Sequence, residues 1–351
     1  MNSSTVSTRA TEVVLPGKVG TDGLEVRTRE LAAPAAGQVV LRMEASGVSF
    51  AEQQMRRGKY YDQPAFPFVP GYDVVGTVTA VGAGVDPGLV GRRFAAATKI
   101  GGWASSLLLD AGDLVAVPEG VSAAAAETVA VNGVTAWQML HRSAKVRSGG
   151  TIVVLGANGG VGSTLAQLAR HAGIKVIGTA SPRHHDTLRE LGVVPVDYRD
   201  PAMYERIREI APDGVDAVFD HVGGAGLHKS WELVRKGGTL VSYGTAATKD
   251  DEGNSQLPVL KSFFRLLAWN YLPNGKGASF YNFWAGKRRL ETFRGRLRDD
   301  LTRVLALVAD GVLTPQIAAE FPLAKAGEAL ALAESRTVAG KIVIVPDVPR
   351  P

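Results

Sequence analysis

Apolar and polar positions change rhythm along the chain. From Thr11 to about Leu109, short β-rich runs alternate with glycine and proline. Val39-Val40-Leu41-Arg42-Met43 and the run Val74 to Val81 predict strands. Gly82, Gly84, Pro87, Gly88 and Gly91, then Gly101 and Gly102, break the chain after them. This texture predicts a mostly β unit. The Ser/Thr-rich residues 1–10 are expected to fray. At Ser122 the pattern turns helical, with Ser122 placed to cap four alanines and Glu127. An apolar run at 151–155 predicts a strand. A glycine turn follows, then a helix over 164–171 closed by Gly173. Strands at 175–179, 193–197, 215–219 and 239–243 alternate with helices at 185–191, 202–210 and 227–235. Continuous apolar strands alternating with helices predict a parallel sheet covered on both faces. Strand 239–243 ends the alternation and is expected at the sheet edge. Residues 246–258 read as a polar loop. Segment 263–284 holds eight aromatics, among them Phe263, Phe264, Trp269, Tyr271 and Trp284. It reads either as a lid over an apolar ligand or as a subunit contact. An amphipathic helix over about 290–309 and a strand at 341–345 complete the chain.

Length and composition narrow this picture. The chain has 351 residues, enough for about two domains. With 45% apolar and 21% charged residues it is an ordinary globular sequence, which excludes disorder as its main state. It contains no cysteine, which excludes disulfides, iron–sulfur clusters, Cys-ligated zinc and thiol catalysis. Its formal charge of +5 comes from interspersed residues. The short run Lys287-Arg288-Arg289 reads as a solvated helix face, so no nucleic-acid partner is expected. No secretory pattern and no apolar run of about 18 residues occur, so a cytoplasmic protein without a membrane span is expected. The six histidines show no metal-ligand spacing, and metal binding is not expected.

The strongest chemical signal is Leu155-Gly156-Ala157-Asn158-Gly159-Gly160-Val161-Gly162, set between a buried strand and a helix. A dinucleotide's pyrophosphate lies on the first turn of such a helix, where N–H groups and the positive dipole end face it. Side chains at Gly159 or Gly160 would block that approach, and Gly162 lets helix and strand pack closely. Asn158, Gly159, Gly160 and Val161 are therefore candidate cofactor contacts. The end of the second strand then selects the cofactor. NAD sites place a carboxylate there for the ribose 2′-hydroxyl. This chain reads Thr179-Ala180-Ser181-Pro182-Arg183, with Tyr198 ending the next strand. Ser181, Arg183 and Tyr198 suit a 2′-phosphate, which favours NADP(H). His221 and Val222, in the turn Asp220-His221-Val222-Gly223-Gly224, are expected beside the cofactor.

Beyond the glycine turn, five further stretches carry a resemblance. They are Gly47-Val48-Ser49-Phe50-Ala51-Glu52, Pro70-Gly71-Tyr72-Asp73-Val74-Val75-Gly76, Val131-Asn132-Gly133-Val134-Thr135-Ala136, Ser242-Tyr243-Gly244 and Ala339-Gly340-Lys341-Ile342-Val343. With them the chain resembles, from about Thr11 to Val345, the medium-chain dehydrogenase/reductase superfamily in its zinc-independent quinone oxidoreductase branch, nearest its VAT-1-like bacterial members. The resemblance implies an α/β protein. A Rossmann doubly wound parallel sheet, residues 129–284 with the aromatic extension 263–284, would bind NADP(H). A split, chaperonin-10-like (GroES-like), mostly β catalytic domain would comprise residues 1–128 and 285–351. The active site would lie in the cleft between them.

Zinc-using relatives carry Cys and His on the segments that here read Gly47-Val48-Ser49 and Gly71-Tyr72-Asp73, so the resemblance implies zinc-free chemistry. The branch reduces quinones and conjugated carbonyls, here a small hydrophobic quinone or enone, with hydride from NADPH. Tyr60 matches a proton donor of related enoyl reductases. Ser49 stands where the branch commonly has an asparagine near nicotinamide or substrate. Thr135 matches a residue beside the nicotinamide. Ser242, Tyr243 and Gly244 match the loop after the last Rossmann strand, and Arg336 matches a basic residue close to the cofactor. A homodimer is implied as well. The alternative is an NADPH-binding protein of crystallin or VAT-1 type with little turnover.

Overall fold

The computed structural model describes residues 8–244 and 256–347. The chain divides into two compact units, Met1–Val131 with Gly286–Pro351, and Asn132–Ala285.

The first unit begins with β1 (Thr8–Val14) and β2 (Glu25–Leu31), an antiparallel pair. Thr8 to Ala10, expected to fray, are held in that ladder opposite Leu31 to Arg29. The long β3 (Gln38–Val48) leads through α1 (Phe50–Arg56) to β4 (Asp73–Val81). β5 (Arg93–Ala97), β6 (Ser106–Asp110), β7 (Val115–Ala116) and α2 (Ala123–Ala130) follow. As expected, Ser122 caps α2, its Oγ accepting from Ala125 N at 3.2 Å.

The second unit opens with α3 (Asn132–Trp137), continued by a π-helical stretch, Gln138–Ala144. It then alternates through β8 (Thr151–Val154), α4 (Gly160–His171), β9 (Lys175–Ala180), α5 (His185–Glu190), β10 (Val193–Asp197), α6 (Met203–Ile210), β11 (Val215–Asp220), α7 (Leu227–Glu232) and β12 (Val234–Ser242). Helix α8 (Gln256–Trp269) and β13 (Gly277–Phe280) close it. The chain returns to the first unit with α9 (Leu290–Ala309), β14 (Ile317–Pro322), α10 (Ala326–Ser335) and β15 (Lys341–Val345).

In the first unit one sheet runs β14-β15-β3-β4-β5-β7, with β6 also paired to β3. Its core gathers Leu41, Met43, Val74, Phe94, Trp103 and Ile344. In the second unit every strand pairing is parallel, in the order β10-β9-β8-β11-β12-β13. That is the doubly wound dinucleotide-binding order, helices on both faces. Val153, Ile177, Val218 and Leu240 form its interior.

Several expectations change. Helix 227–235 stops at Glu232, because Val234 already pairs with Val215. The strand then carries an irregularity before Thr239 rejoins Ala217, where Gly237 takes a φ of +82°. Strand 239–243 is not the sheet edge. The aromatic segment folds back through α8, stacks Trp269 on Trp231 at 5.0 Å, and adds β13 outside β12. That part of the segment is therefore a sheet element. Of the expected polar loop, 246–255 lies outside the described residues and 256–258 begins α8.

Candidate active site

Three of the four glycines in the turn after β8 answer steric demands of the chain itself. Gly156 has a φ of +68°, and a Cβ there would strike the His221 ring. A Cβ on Gly160 would strike the Asn132 amide. One on Gly162 would strike the Gly156 carbonyl and come within 2.8 Å of Ala157 Cα. Gly159, the N-cap of α4, gives no side-chain cap, and its Cβ would meet only the Gly156 carbonyl at 3.4 Å. The helix thus begins at Gly160 rather than Thr164, with an uncapped N-terminus framed by half-buried Asn158 and Val161. Such an end suits an anion.

The surrounding loops are tied to this turn. Gly156 N donates to Thr179 Oγ1 at 3.0 Å, and Ala157 N to Thr179 O at 2.9 Å. His221 Nδ1 lies 2.9 Å from the Leu155 carbonyl. Fully buried Asp220 accepts from Val222 N and Gly223 N, both at 2.8 Å, and from Ser230 Oγ at 2.7 Å. Tyr243 N donates to Asp220 O at 2.9 Å, and Gly244 lies against the His221 backbone. Val222, Ser242, Tyr243, Gly244 and the glycine turn therefore converge at the carboxyl ends of β8, β11 and β12. This is the switch point where open α/β sheets hold ligands. The buried Ser242 Oγ has no hydrogen-bond partner among the described residues, which fits a polar ligand group there. Burial raises the Tyr243 phenol above the usual tyrosine value. Thr135 is buried on α3, whose first residue Asn132 packs on the start of α4.

At the ends of β9 and β10, Ala180 pairs with Asp197, and Tyr198 N donates to Ala180 O at 3.3 Å. Ser181 and Tyr198 therefore leave the sheet side by side. Ser181 is buried and Tyr198 exposed. Arg183 is exposed, its Nε 3.1 Å from His184 Nε2. Arg199, which sequence reasoning missed, donates from Nε to the Tyr198 hydroxyl at 3.2 Å and lies over that ring. A basic residue beside the strand-end tyrosine was its only signal. No carboxylate ends β9. Asp197, which ends β10, accepts from Arg199 N at 3.0 Å.

In the first unit Ser49 caps α1 in a capping box with Glu52. Its Oγ accepts from Ala51 N and donates to Glu52, whose Oε2 also accepts from Ser49 N at 2.8 Å. Glu52 Oε1 accepts from Tyr72 N at 2.7 Å, and the Tyr72 hydroxyl lies 2.8 Å from the Tyr60 hydroxyl. Ser49 and Tyr60 are thus connected through Glu52 and Tyr72. The Ser-x-x-Glu spacing was the legible sign of the first link. Burial foremost, with Tyr72 and Tyr61 adding to it, holds the Tyr60 phenol protonated, far above the usual tyrosine value. Arg336 belongs to this unit, exposed at the end of α10 with a φ of +56°.

Behind Glu52 lies a buried charge cluster that the sequence did not reveal. Lys341 Nζ sits 3.3 Å from Glu127 Oε1 and 3.6 Å from Asp73 Oδ2, with all three side chains buried. Burial alone would push the ammonium down, but Asp73, Glu127 and Glu52 outweigh it and raise it. Burial first, and then the charge of Asp73, raises the Glu127 carboxyl well above the ordinary value. Among the described residues, no group of three or more His, Cys, Asp or Glu is arranged to hold a metal ion. No helix among them is long and apolar enough to cross a membrane.

Residues 35–139 match the alcohol dehydrogenase GroES-like domain, and residues 191–344 match the zinc-binding dehydrogenase family. The human synaptic vesicle membrane protein VAT-1 homolog is 30% identical over 341 residues, covering 95% of this chain and 86% of the relative. A mycobacterial quinone oxidoreductase structure matches with a TM-score of 0.78 and 26% identity, over 96% of this chain and 100% of that one. A mycobacterial protein solved with NADPH matches with a TM-score of 0.80 and 25% identity, over the same shares.

Proposed function

The chain belongs to the medium-chain dehydrogenase/reductase superfamily, in its zinc-independent quinone oxidoreductase branch, and from that premise we propose that it is an NADPH-dependent reductase of quinones or α,β-unsaturated carbonyls. One observation carries the cofactor assignment. The uncapped start of α4 stands beside the ends of β9 and β10, which offer Ser181, Arg183 and Tyr198 where an NAD site would offer a carboxylate. The pyrophosphate would rest on Gly159, Gly160 and Val161, and the 2′-phosphate on Ser181, Arg183 and Tyr198, with Arg199 alongside. Asn158, Thr135, Val222, Ser242, Tyr243 and Gly244 would hold the remainder, and Arg336 is kept as a further contact.

When bound, NADPH supplies a hydride for the electron-poor carbon of the substrate. Negative charge then collects on the substrate oxygen and needs a donor, and the α-carbon needs a proton. Tyr60, a neutral phenol, is the assigned proton source. Ser49 holds the loop behind it through Glu52. The substrate is a small hydrophobic quinone or enone, and the working form is a cytoplasmic homodimer. The second reading is an NADPH-binding protein of crystallin or VAT-1 type with little turnover; a VAT-1 homolog is 30% identical to this chain.

Purified protein tested for NADPH oxidation across quinones, enones and enoyl thioesters separates the two. Turnover of at least one class is expected. Tight NADPH binding with no consumption by any of them would overturn the reductase reading in favour of the binder.

A further inference from the structure

We propose that Tyr72 is a positioning residue for proton transfer, the second hydroxyl of a Tyr60–Tyr72 pair that steadies the charge left on Tyr60; this rests on the reading of Tyr60 as proton donor. The pair is defined by geometry. The two hydroxyls lie 2.8 Å apart, and the rings meet edge to face at 6.3 Å and 83°. Tyr60 is 7% exposed and Tyr72 6%, so water solvates neither oxygen well. When the Tyr60 O–H bond breaks, its proton forms a C–H bond at the α-carbon of the enolate that hydride addition leaves. The bonding pair stays on the Tyr60 oxygen. That phenolate, shielded from water, requires a hydrogen-bond donor. A neutral Tyr72 can turn its O–H toward it without moving its ring. The proton lost from Tyr60 is later regained from water.

Tyr72 is better fixed for this than Tyr61, which also interacts with Tyr60. The Tyr72 N–H donates to Glu52, and its carbonyl accepts from Thr98 N at 2.9 Å and Lys99 N at 3.1 Å. Three backbone bonds thus hold the residue in place, whereas Tyr61 is half-buried in a turn.

The test compares Tyr60→Phe, Tyr72→Phe and the double variant, each with an enone and with a quinone that turn over. Tyr72→Phe should lower enone kcat about 10–100-fold, the effect of a lost hydrogen bond to a charged group. KM for NADPH and quinone turnover should change little, because a quinone adduct is an aromatic phenolate that takes its proton from water. The solvent deuterium isotope effect on enone kcat should rise, and that from deuterated NADPH should fall, as proton transfer becomes limiting. The double variant should be no slower than Tyr60→Phe alone. It also removes both buried hydroxyls, so it stays informative if the single Tyr72 variant fails to fold. Full enone activity in Tyr60→Phe would overturn the donor reading itself, and this proposal with it. A slow Tyr60→Phe beside a wild-type Tyr72→Phe would overturn this proposal alone. So would losses that multiply in the double variant, or an equal loss in quinone turnover.

Discussion

Replacing Lys341 with methionine removes the cation from the buried cluster while keeping most of the side chain's bulk. The ammonium lies 3.3 Å from Glu127 and 3.6 Å from Asp73. At an effective dielectric of about 20, each attraction is worth roughly 5 kcal/mol before desolvation is counted. Desolvating each ion costs several kcal/mol, so the intact pair is worth little more than an apolar one. Breaking it is different, because the carboxylates stay buried without their partner. The expected loss is about 3–5 kcal/mol. For a unit of this size that is a melting shift of roughly 6–20 °C.

The loss should depend on pH. Glu127 has a raised carboxyl, so its contribution to stability is present below the ordinary carboxylate value and fades as pH rises through the folded value. Without Lys341 the carboxyls can relieve repulsion only by keeping protons. Lys341→Met should therefore lie closest to wild type in acid and furthest from it at alkaline pH. Urea unfolding followed through Trp103 reads the effect locally. It is the one tryptophan of its unit, fully buried, and its Nε1 donates to Gly47 O at 3.0 Å. A loss under about 1 kcal/mol at pH 8, or one that does not vary with pH, would refute this account of the cluster.

Arg183→Ala should cost about 1.5–3 kcal/mol of NADPH affinity and leave NADH affinity unchanged; titration calorimetry showing equal losses would contradict the 2′-phosphate assignment. Chelator treatment should alter neither activity nor melting temperature, and stoichiometric zinc by elemental analysis would count against that. Light scattering should give a dimer, since β13 is the last strand of the parallel sheet among the described residues and such edges are usually paired or covered. A monomer at micromolar concentration would sink this one.

The parallel sheet was legible because largely apolar strands such as Thr151–Val154 and Lys175–Ala180 recur between more polar stretches of helix-forming residues. The turn proposed to hold the cofactor was legible for a related reason. Its parts follow strand ends, and Ser181 and Tyr198 leave the sheet side by side only because β9 and β10 are neighbours in register. The edge strand was not legible. Gly277-Ala278-Ser279-Phe280 is too short and too mixed in polarity to read as a strand, and the register with β12 is supplied by the fold. Arg199 was passed over because a lone exposed arginine after a tyrosine has no distinctive spacing. The charge cluster was hidden more completely. Glu52, Asp73, Glu127 and Lys341 are far apart in the chain, and each alone reads as a surface charge.

Topology accounts for their meeting. β15 lies antiparallel to β3, with Val343 opposite Gly47 and Ile342 opposite Val48, which carries Lys341 in beside the end of β3. A Cβ on Gly47 would run into both Glu127 and the Lys341 side chain, so a glycine is needed there for the pair to form. The cation from the C-terminal strand thus neutralises carboxylates from the N-terminal part and joins the two ends of a unit whose chain is interrupted by 154 residues, Asn132 to Ala285. Glu52 extends this influence. Burial raises its carboxyl, and the Lys341 charge and the Ser49 hydrogen bond offset only part of that rise. Its Oε1 accepts from Tyr72 N, and Tyr72 in turn meets Tyr60. The cluster and the tyrosine pair are in this way one connected structure. Its buried charge, costly by itself, fixes the backbone from which the Tyr72 hydroxyl reaches Tyr60.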